Sequence, residues 1–443
     1  MTDGLPNPQR AFAFLTIAIA LTMAVLDSAI VNVALPTIAK YLHASPADTI
    51  WVVNAYQLAI TISLLPLASL GDSVGYRHVY WSGLAVFTGA SLVCALSTSL
   101  PMLALARVAQ GFGAAGIMSV NIALVRFIYP QAQLGRGVGN VALVVAVASA
   151  AGPSVGAAIL SVATWHWLFL VNVPLGAVAL IVAARTLPRT PASGHRLDLL
   201  SVLLNALTFG LLIVGVDQIG KSGGFGTALA AFAVAAIAGM WLTRRELAQR
   251  HPLLPIDLLR LPVFALSMAT SINSFAAQAL AYVALPFYFE DALHRSEATT
   301  GLLMTPWPLA IALIAPIAGR LADRRPPGKL ASIGLLVLAS GLALTAALPD
   351  KPSAADIVWR LALCGLGFGF FQSPNNKLII SSAPRERSGG ASGIQSTGRL
   401  VGQSLGTAAM AAIFSLAASR QTEIALALAA GLSLVGSVAG ALR

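Results

Sequence analysis

The chain has 443 residues, of which 57% are hydrophobic and only 10% are charged, and its mean hydropathy is +0.82. Soluble globular domains carry about 25% charged residues, so this composition cannot cover a water-facing surface. The formal net charge of +11 could suit nucleic acid, but the distribution of its basic residues has another explanation, given below. The composition therefore predicts a membrane protein with many spans.

Fourteen stretches are long and apolar enough to cross a bilayer as helices, for which about 20 residues are needed. The first stretch continues past Leu35, too far for a signal peptide, so we expect it to remain attached as a span. Each span must be helical because hydrocarbon offers no partner to a bare backbone N–H or C=O group. The predicted spans are 12–37, 50–70, 79–98, 101–125, 137–160, 166–184, 197–217, 226–243, 263–289, 300–320, 330–348, 355–376, 390–417 and 422–441.

The basic residues predict the orientation of these spans. With the N-terminus inside, 19 of the 27 Lys and Arg residues fall in inner loops and termini, 5 fall in outer loops and 3 fall within spans. Cytoplasmic loops carry such an excess. We therefore expect a multi-pass protein of the inner membrane with both termini cytoplasmic, and no binding of nucleic acid.

The chain also contains an internal repeat, whose markers recur at offsets that drift only from 250 to 254 residues. The pairs are VALP at 33–36 and 283–286, Asp72 and Asp323, Arg107 and Arg360, Pro130 and Pro384, and Gly139 and Gly393. Parallel six-helix repeats with a site near the bilayer midplane describe one class of secondary transporter. We predict an all-α protein with six-helix bundles at 1–190 and 256–443, and two inserted helices at 191–255.

Asp27 is the only acid deep within any predicted span. At about 1.5 Å per residue it lies near the middle of the first span, where a charge costs at least about 2.5 kcal/mol. An apolar environment favours the protonated carboxyl group and a bound cation favours the carboxylate, so one such group can exchange a proton for a cation. The repeat has Ala277 at the matching position. The alternative is a structural carboxylate capped by a hydroxyl group such as that of Ser28.

Arg107 is expected to assist Asp27. It lies within a predicted span, and Gln110 shares its helix face at a spacing of i+3. A buried guanidinium group needs an acceptor, and it can bias the protonation of a nearby acid. The alternative is that Arg107 extends along the helix to the membrane surface.

Other polar and aromatic residues within the spans are candidates for a substrate cavity. Aromatic faces attract organic cations, although a single Tyr or Trp near the interface can equally serve as a membrane anchor. The predicted cavity residues are Asn54, Tyr56, Gln57, Gln110, Asn273, Gln278, Tyr282, Trp307, Gln372, Asn375 and Arg399.

Two further motifs suggest segments that move during a conformational change. GDSVGYR at 71–77 predicts a charged latch on the cytoplasmic side, with an ordinary helix-capping turn as the alternative. In the fifth span a GxxxG pair around a proline predicts close helix packing and a bend, and a static seam is the stronger interpretation on physical grounds alone. The latch residues are Gly71, Asp72, Gly75, Arg77, Arg136, Gly319, Asp323 and Arg324, and the fifth-span residues are Gly152, Pro153 and Gly156.

No motif suggests catalysis. The GxxxxGK[ST] pattern of a phosphate loop occurs once, as GVDQIGKS at 215–222, but it overlaps the end of a predicted span and does not join a strand to a helix, so an ion gradient is the expected energy source. Cys94 and Cys364 lie in apolar stretches without metal-ligand spacing and are expected to be inert. We expect neither an enzyme nor a bound cofactor or metal.

These motifs resemble those of the major facilitator superfamily, and of its 14-helix drug:proton antiporter branch in particular. The similar segments are LDSAIVNVALPTIA at 26–39, LGDSVGYRHVYWSG at 70–83, LARVAQGFGAA at 105–115, AGPSVGA at 151–157, GRLADR at 319–324 and FQSPNN at 371–376. Ala68, Tyr76, Ala148 and Ala157 depart from the usual residues of these motifs.

The resemblance implies a major facilitator fold and a proton-coupled antiporter. Such a protein would export small lipophilic, cationic drugs or antiseptics by alternating access, with Asp27 as the proton and cation site and the fifth-span motif as an antiport element. We expect it to act as a monomer. The alternatives are an exporter of a specific metabolite or lipid, and a receptor or scaffold that does not transport.

Overall fold

A computed structural model describes residues 4–130, 133–190, 192, 198–219, 224–248, 256–322, 324–349, 351–382, 388–416 and 420–441. Helices dominate the described residues, and no strand occurs among them. The α-helices are α1 Gln9–Tyr41, α2 Pro46–Thr49, α3 Trp51–Val74, α4 Tyr76–Ala95, α5 Leu100–Ser119, α6 Asn121–Ile128, α7 Leu134–Val162, α8 Trp167–Leu170, α9 Asn172–Thr186, α10 Leu199–Ile219, α11 Phe225–Ala248, α12 Pro262–Phe287, α13 Glu297–Met304, α14 Pro306–Ala322, α15 Pro327–Ala346, α16 Ala354–Ser382, α17 Ser388–Leu416 and α18 Gln421–Ala441.

Within the described part of the chain, twelve helices are long and apolar enough to cross a membrane. A thirteenth candidate is the bent pair Leu143–Ser149 and Ala151–Val162, whose axes differ by 41°. The bend follows Ser149, four residues before Pro153, because a proline offers no N–H group to the carbonyl at that position. The helix α17 has 29 residues but is not among the candidates. The predicted count of fourteen spans is thus not confirmed.

The chain forms two compact units, Met1–Val31 with Trp51–Leu203, and Asn32–Ile50 with Leu204–Arg443. We call them unit 1 and unit 2. The boundary falls within α1, so most of this helix belongs to unit 1 and its C-terminal end to unit 2. The three-part division drawn from the sequence remains a prediction.

The C-terminal end of α1 is held within unit 2 by two polar contacts. The Thr37 hydroxyl group donates a hydrogen bond of 2.6 Å to the Glu297 carboxylate at the start of α13. The Lys40 ammonium group lies 3.2 Å from the Asp291 carboxylate, in the π-helical segment Tyr288–Ala292 that extends α12. Ion pairs as exposed as the second contribute about 0–1 kcal/mol, so they orient the end of the helix more than they stabilise it.

Helix packing repeats between the two units. In unit 1, α5 packs on α3 and α4, and α4 packs on α9. In unit 2, α16 packs on α14 and α15, and α15 packs on α18. The same partners therefore meet in the same order, as the sequence repeat predicts.

Glycines give the register of this repeat. A Cβ atom added at Gly111 would lie 2.5 Å from the Tyr56 carbonyl oxygen, and one added at Gly365 would collide with the Trp307 carbonyl oxygen. The glycines are 254 residues apart and their partners 251. On α5 and α16 the repeat therefore has an offset of 254.

This register corrects the predicted pairing of Arg107 with Arg360. At an offset of 254, Arg107 corresponds to Leu361, which is fully buried. Arg360 is displaced by one residue, about 100° around the helix. Its guanidinium group donates to the Leu344 carbonyl oxygen at 2.7 Å and lies 3.4 Å from Asp356.

The close contact between α4 and α5 gives a first prediction. Gly113→Ala places a methyl group against the backbone nitrogen of Phe87 and 2.7 Å from the Gly83 carbonyl oxygen. Both atoms belong to the backbone of α4, so they can move only if the helix shifts. We expect the free energy of unfolding to fall by about 1–3 kcal/mol, the usual cost of overpacking. Denaturant unfolding of the detergent-purified protein measures it.

The matched control is Gly89→Ala on α4, where an added Cβ atom meets nothing within 4 Å. This variant should be at least as stable as the wild type, because alanine favours a helix more than glycine does. Equal destabilisation by the two substitutions would contradict the packing described here.

Candidate functional site

Asp27 lies inside unit 1 and is 2% exposed. Its Oδ2 atom accepts a short hydrogen bond from Arg107 Nη1 on α5. Its Oδ1 atom accepts hydrogen bonds from Gln110 Nε2 at 2.9 Å and from Asn172 Nδ2, on α9, at 3.1 Å. Three donors on two other helices therefore hold the carboxylate of α1, and Ser28, the alternative partner, is not one of them.

Arg107 is fully buried, which rules out its extension to the membrane surface. Its Nε atom donates to the Val52 carbonyl oxygen at 2.9 Å, and Nη1 also donates to Gln110 Oε1 at 2.6 Å. Its guanidinium carbon lies 4.0 Å from the ring centroid of Tyr56 and 5.6 Å from that of Phe169. Cation–π attraction thus adds to the ion pair. The Nη2 atom has no hydrogen-bond partner among the described residues.

A second set of contacts supports the pair. Gln110 Nε2 donates to Ser91 Oγ at 2.9 Å, and the Cys94 thiol approaches Gln110 Oε1 at 3.6 Å. The Tyr56 hydroxyl group donates to the Ala24 carbonyl oxygen at 3.0 Å, one helical turn before Asp27. Tyr56 and Gln110, which the sequence placed in a substrate cavity, therefore contact the ion pair.

The corresponding positions of unit 2 are apolar or nearly so. At the offsets of the repeat, Asp27 corresponds to Ala277, Arg107 to Leu361, Gln110 to Cys364 and Tyr56 to Trp307, and all four counterparts are fully buried. The helical scaffold therefore packs without the charged pair in one of its two copies. Packing alone therefore does not explain why unit 1 has Asp27 and Arg107 at these positions.

The other predicted cavity residues are distributed between the units. Asn54 and Gln57 are buried on α3 of unit 1. In unit 2, the rings of Tyr282 and Trp307 meet edge to face at 5.1 Å. Asn375 is also buried there, where its amide donates to Ser271 Oγ at 2.8 Å and joins α16 to α12.

The remaining four predicted residues also belong to unit 2. The Asn273 amide donates to the Ala269 carbonyl oxygen of its own helix at 2.9 Å. Gln278 is nearly buried on α12. Gln372 on α16 and Arg399 on α17 are half-buried.

In the predicted latch, Asp72 accepts a hydrogen bond of 2.5 Å from the Tyr76 hydroxyl group. Arg77 lies in the first turn of α4, and its guanidinium group donates to the Ala184 carbonyl oxygen on α9 at 2.6 Å. Gly75 has φ +96°, a conformation that favours glycine.

The other latch residues fall into two groups. Gly71 lies against Val120 and Tyr76, and Gly319 is helical in α14. The Arg324 backbone N–H group donates to the Leu321 carbonyl oxygen at 3.0 Å. Asp323 and the side chain of Arg136 lie outside the described residues.

The fifth-span motif packs α7 against α1 close to Asp27. A Cβ atom at Gly152 would collide with Ala29, and one at Gly156 would lie 3.3 Å from Ile30 Cγ2. Both contacts follow Asp27 within one helical turn. The contact between α1 and α7 therefore lies close to Asp27 along α1.

A duplicated helical membrane protein with a buried ion pair in one repeat fits the class of secondary transporters. The family model of the Major Facilitator Superfamily matches residues 17–407, and the chain belongs to this superfamily. Its members are transporters and not enzymes. The chain is thus a multi-pass membrane transporter.

Several curated proteins are similar over most of their length. The uncharacterized transporter YebQ of Escherichia coli (strain K12) is 55% identical, over 100% of this chain and 97% of its own. The riboflavin transporter RibZ of Clostridioides difficile (strain 630) is 30% identical over 92% and 89%. The tetracenomycin C resistance and export protein of Streptomyces glaucescens is 30% identical over 93% and 76%.

Solved structures agree on the fold. A POT family transporter in complex with a thioalcohol-conjugated peptide has a TM-score of 0.74 at 15% identity, over 97% of this chain and 94% of that one. At this identity the likeness concerns the fold alone.

The buried pair gives a second prediction. Asp27→Asn leaves the Arg107 charge buried without a counter-charge, so we expect the free energy of unfolding to fall by about 3–5 kcal/mol. The double variant Asp27→Asn/Arg107→Met removes both charges and should recover most of this loss. Unfolding of the purified proteins in detergent measures both, and a double variant less stable than either single variant would contradict the pairing.

Proposed function

We propose that the protein is a proton-coupled antiporter that exports small lipophilic compounds across a bacterial inner membrane, with both termini cytoplasmic. The observation that carries this proposal is the Asp27 carboxylate, buried on a spanning helix and bonded to three donors. An ionisable group at such a position is costly and is typical of proton relays. The counterpart Ala277 supports a role beyond packing.

The proposed coupling step is an exchange at Asp27. As a carboxylate, Asp27 neutralises Arg107 and both side chains remain buried. When Asp27 binds a proton, the ion pair is lost and Arg107 retains an uncompensated charge in a medium of low dielectric constant. This state favours a rearrangement that gives Arg107 a new partner or water.

The seam between α1 and α7 offers a route from this step to helix movement. Gly152 and Gly156 pack against Ala29 and Ile30, next to Asp27 on α1. Because both glycines of α7 contact α1 directly, we expect a shift of α1 to displace α7. The two halves would then alternate in access, as the resemblance to drug:proton antiporters implies.

The chemical class of the substrate rests on the relatives. Proteins named for multidrug resistance and for export of tetracenomycin C are similar over at least 92% of this chain, and this similarity favours lipophilic compounds. A cationic drug could bind Asp27 only by displacing Arg107. The proposal therefore covers lipophilic compounds and does not include the preference for cations that the resemblance implies.

Transport of a specific metabolite is the second candidate. It is favoured by the 30% identity to a riboflavin transporter. Competition separates the two possibilities. Inhibition of dye transport by several unrelated lipophilic compounds supports a drug exporter, whereas inhibition by riboflavin alone supports a metabolite transporter.

Uptake into inverted membrane vesicles tests proton coupling. Energised vesicles that contain the wild-type protein should accumulate a lipophilic dye, either ethidium or fluorescein, and an uncoupler should abolish the accumulation. Asp27→Asn should reduce it at least about tenfold, because the exchangeable proton is lost.

The control variant is Asp48→Asn, which changes an exposed acid in the short helix α2. It should transport as the wild type does. Proton-driven uptake that survives Asp27→Asn would refute Asp27 as the coupling group.

A further inference from the structure

Among the residues that the structure describes, Arg399 has no counter-ion. It lies within α17, about 17 Å from Ser388 at about 1.5 Å per residue, and its side chain is half-buried. No hydrogen bond or ion pair joins it to any residue that the structure describes. In the helical interior of a membrane protein, a charge that lacks a protein partner marks a site for substrate, ion or water.

Two other arginines within the described helices each have an acidic partner. Arg107 is paired with Asp27, and Arg360 lies 3.4 Å from Asp356. Arg399 differs from both arginines because no acidic partner lies beside it among the described residues.

Arg399 belongs to a polar stripe that unit 1 does not have. Gln395, Arg399 and Gln403 are four residues apart, so they share one face of α17, and all three are half-buried. At an offset of 254 their counterparts on α7 are Val141, Val145 and Ser149. The scaffold thus does not require a cation at this position.

The packing of α17 fixes this stripe next to α12. Gly402 and Gly406 lie against the backbone of Ile272 and Ala276. Arg399 is three residues before Gly402, at the edge of the same contact. Phe275 packs on Phe368 with ring centroids 5.2 Å apart, which adds an apolar wall to this part of unit 2.

We propose that Arg399, with Gln395 and Gln403, binds the anionic group of an amphipathic substrate. A guanidinium group donates two parallel hydrogen bonds to a carboxylate or sulfonate, and flanking amides extend the set of donors. The inference rests on the proposed export function and narrows it to compounds that combine an apolar body with an acidic group. The resemblance to drug:proton antiporters implies cationic substrates, whereas this inference favours anionic ones.

Fluorescein and rhodamine 123 test this preference, because they share a xanthene body but carry opposite charges. Their affinities for the purified full-length protein are measured by fluorescence anisotropy at one salt concentration. The wild type should bind fluorescein at least about tenfold more tightly, the value of one charge-assisted hydrogen bond. Arg399→Gln should lose this preference, and Arg399→Lys should retain part of it.

Arg360→Gln is the matched control, since it removes an arginine that is already paired with Asp356. It should leave both affinities unchanged. Equal affinities of the wild type for the two dyes would overturn the inference, whether or not the Arg399 variants fold. An equal loss of both affinities in a folded Arg399→Gln variant would overturn it as well.

The outcome is separable from that of the proposed function. An anion preference without proton-driven uptake would leave the Arg399 subsite standing and refute the antiporter. Proton-driven uptake without an anion preference would leave the antiporter standing and refute the Arg399 subsite.

Discussion

The buried ion pair between Asp27 and Arg107 is the interaction on which the rest of unit 1 depends. Two charges leave water together only if their mutual attraction and further hydrogen bonds offset the loss of hydration. Gln110 and Asn172 supply those bonds to the carboxylate, while the rings of Tyr56 and Phe169 lie near the guanidinium group. Under the proposed function, loss of the negative charge of Asp27 would remove this attraction, so the residues that stabilise unit 1 would also respond to the proton.

Duplication makes this arrangement interpretable. The two copies share helix partners and close glycine contacts, which shows what the scaffold needs for packing. Polar groups that occur in one copy alone need another reason. Asp27 in unit 1 and Arg399 in unit 2 are both of this kind, with Ala277 and Val145 as their counterparts. We therefore propose that unit 1 exchanges the proton and that unit 2 recognises the charge of the substrate.

Much of this could be predicted from the sequence, because a charge in an apolar segment stands out and a repeat reveals architecture. Asp27, Arg107 and Gln110 were predictable for that reason. Asn172 was missed, since a single amide at the start of an apolar helix has no spacing that links it to Asp27. The pairing of Arg107 with Arg360 was wrong by one residue. The two positions were matched because both are arginines, whereas the glycine contacts give an offset that pairs Arg107 with Leu361. The distribution of Tyr56 and Gln110 around the ion pair depends on tertiary packing, which spacing along one helix does not reveal.

Infrared spectroscopy of the purified protein tests the central claim most directly, because a protonated carboxyl group has a C=O stretching band of its own. The account predicts a band that appears as the pH falls, that is absent from Asp27→Asn and that is retained in Asp48→Asn. Release of Arg107 from the ion pair should accompany it, so Arg107→Met should shift the titration of this band. A spectrum in which Asp27→Asn removes no titrating carboxyl band would contradict the account.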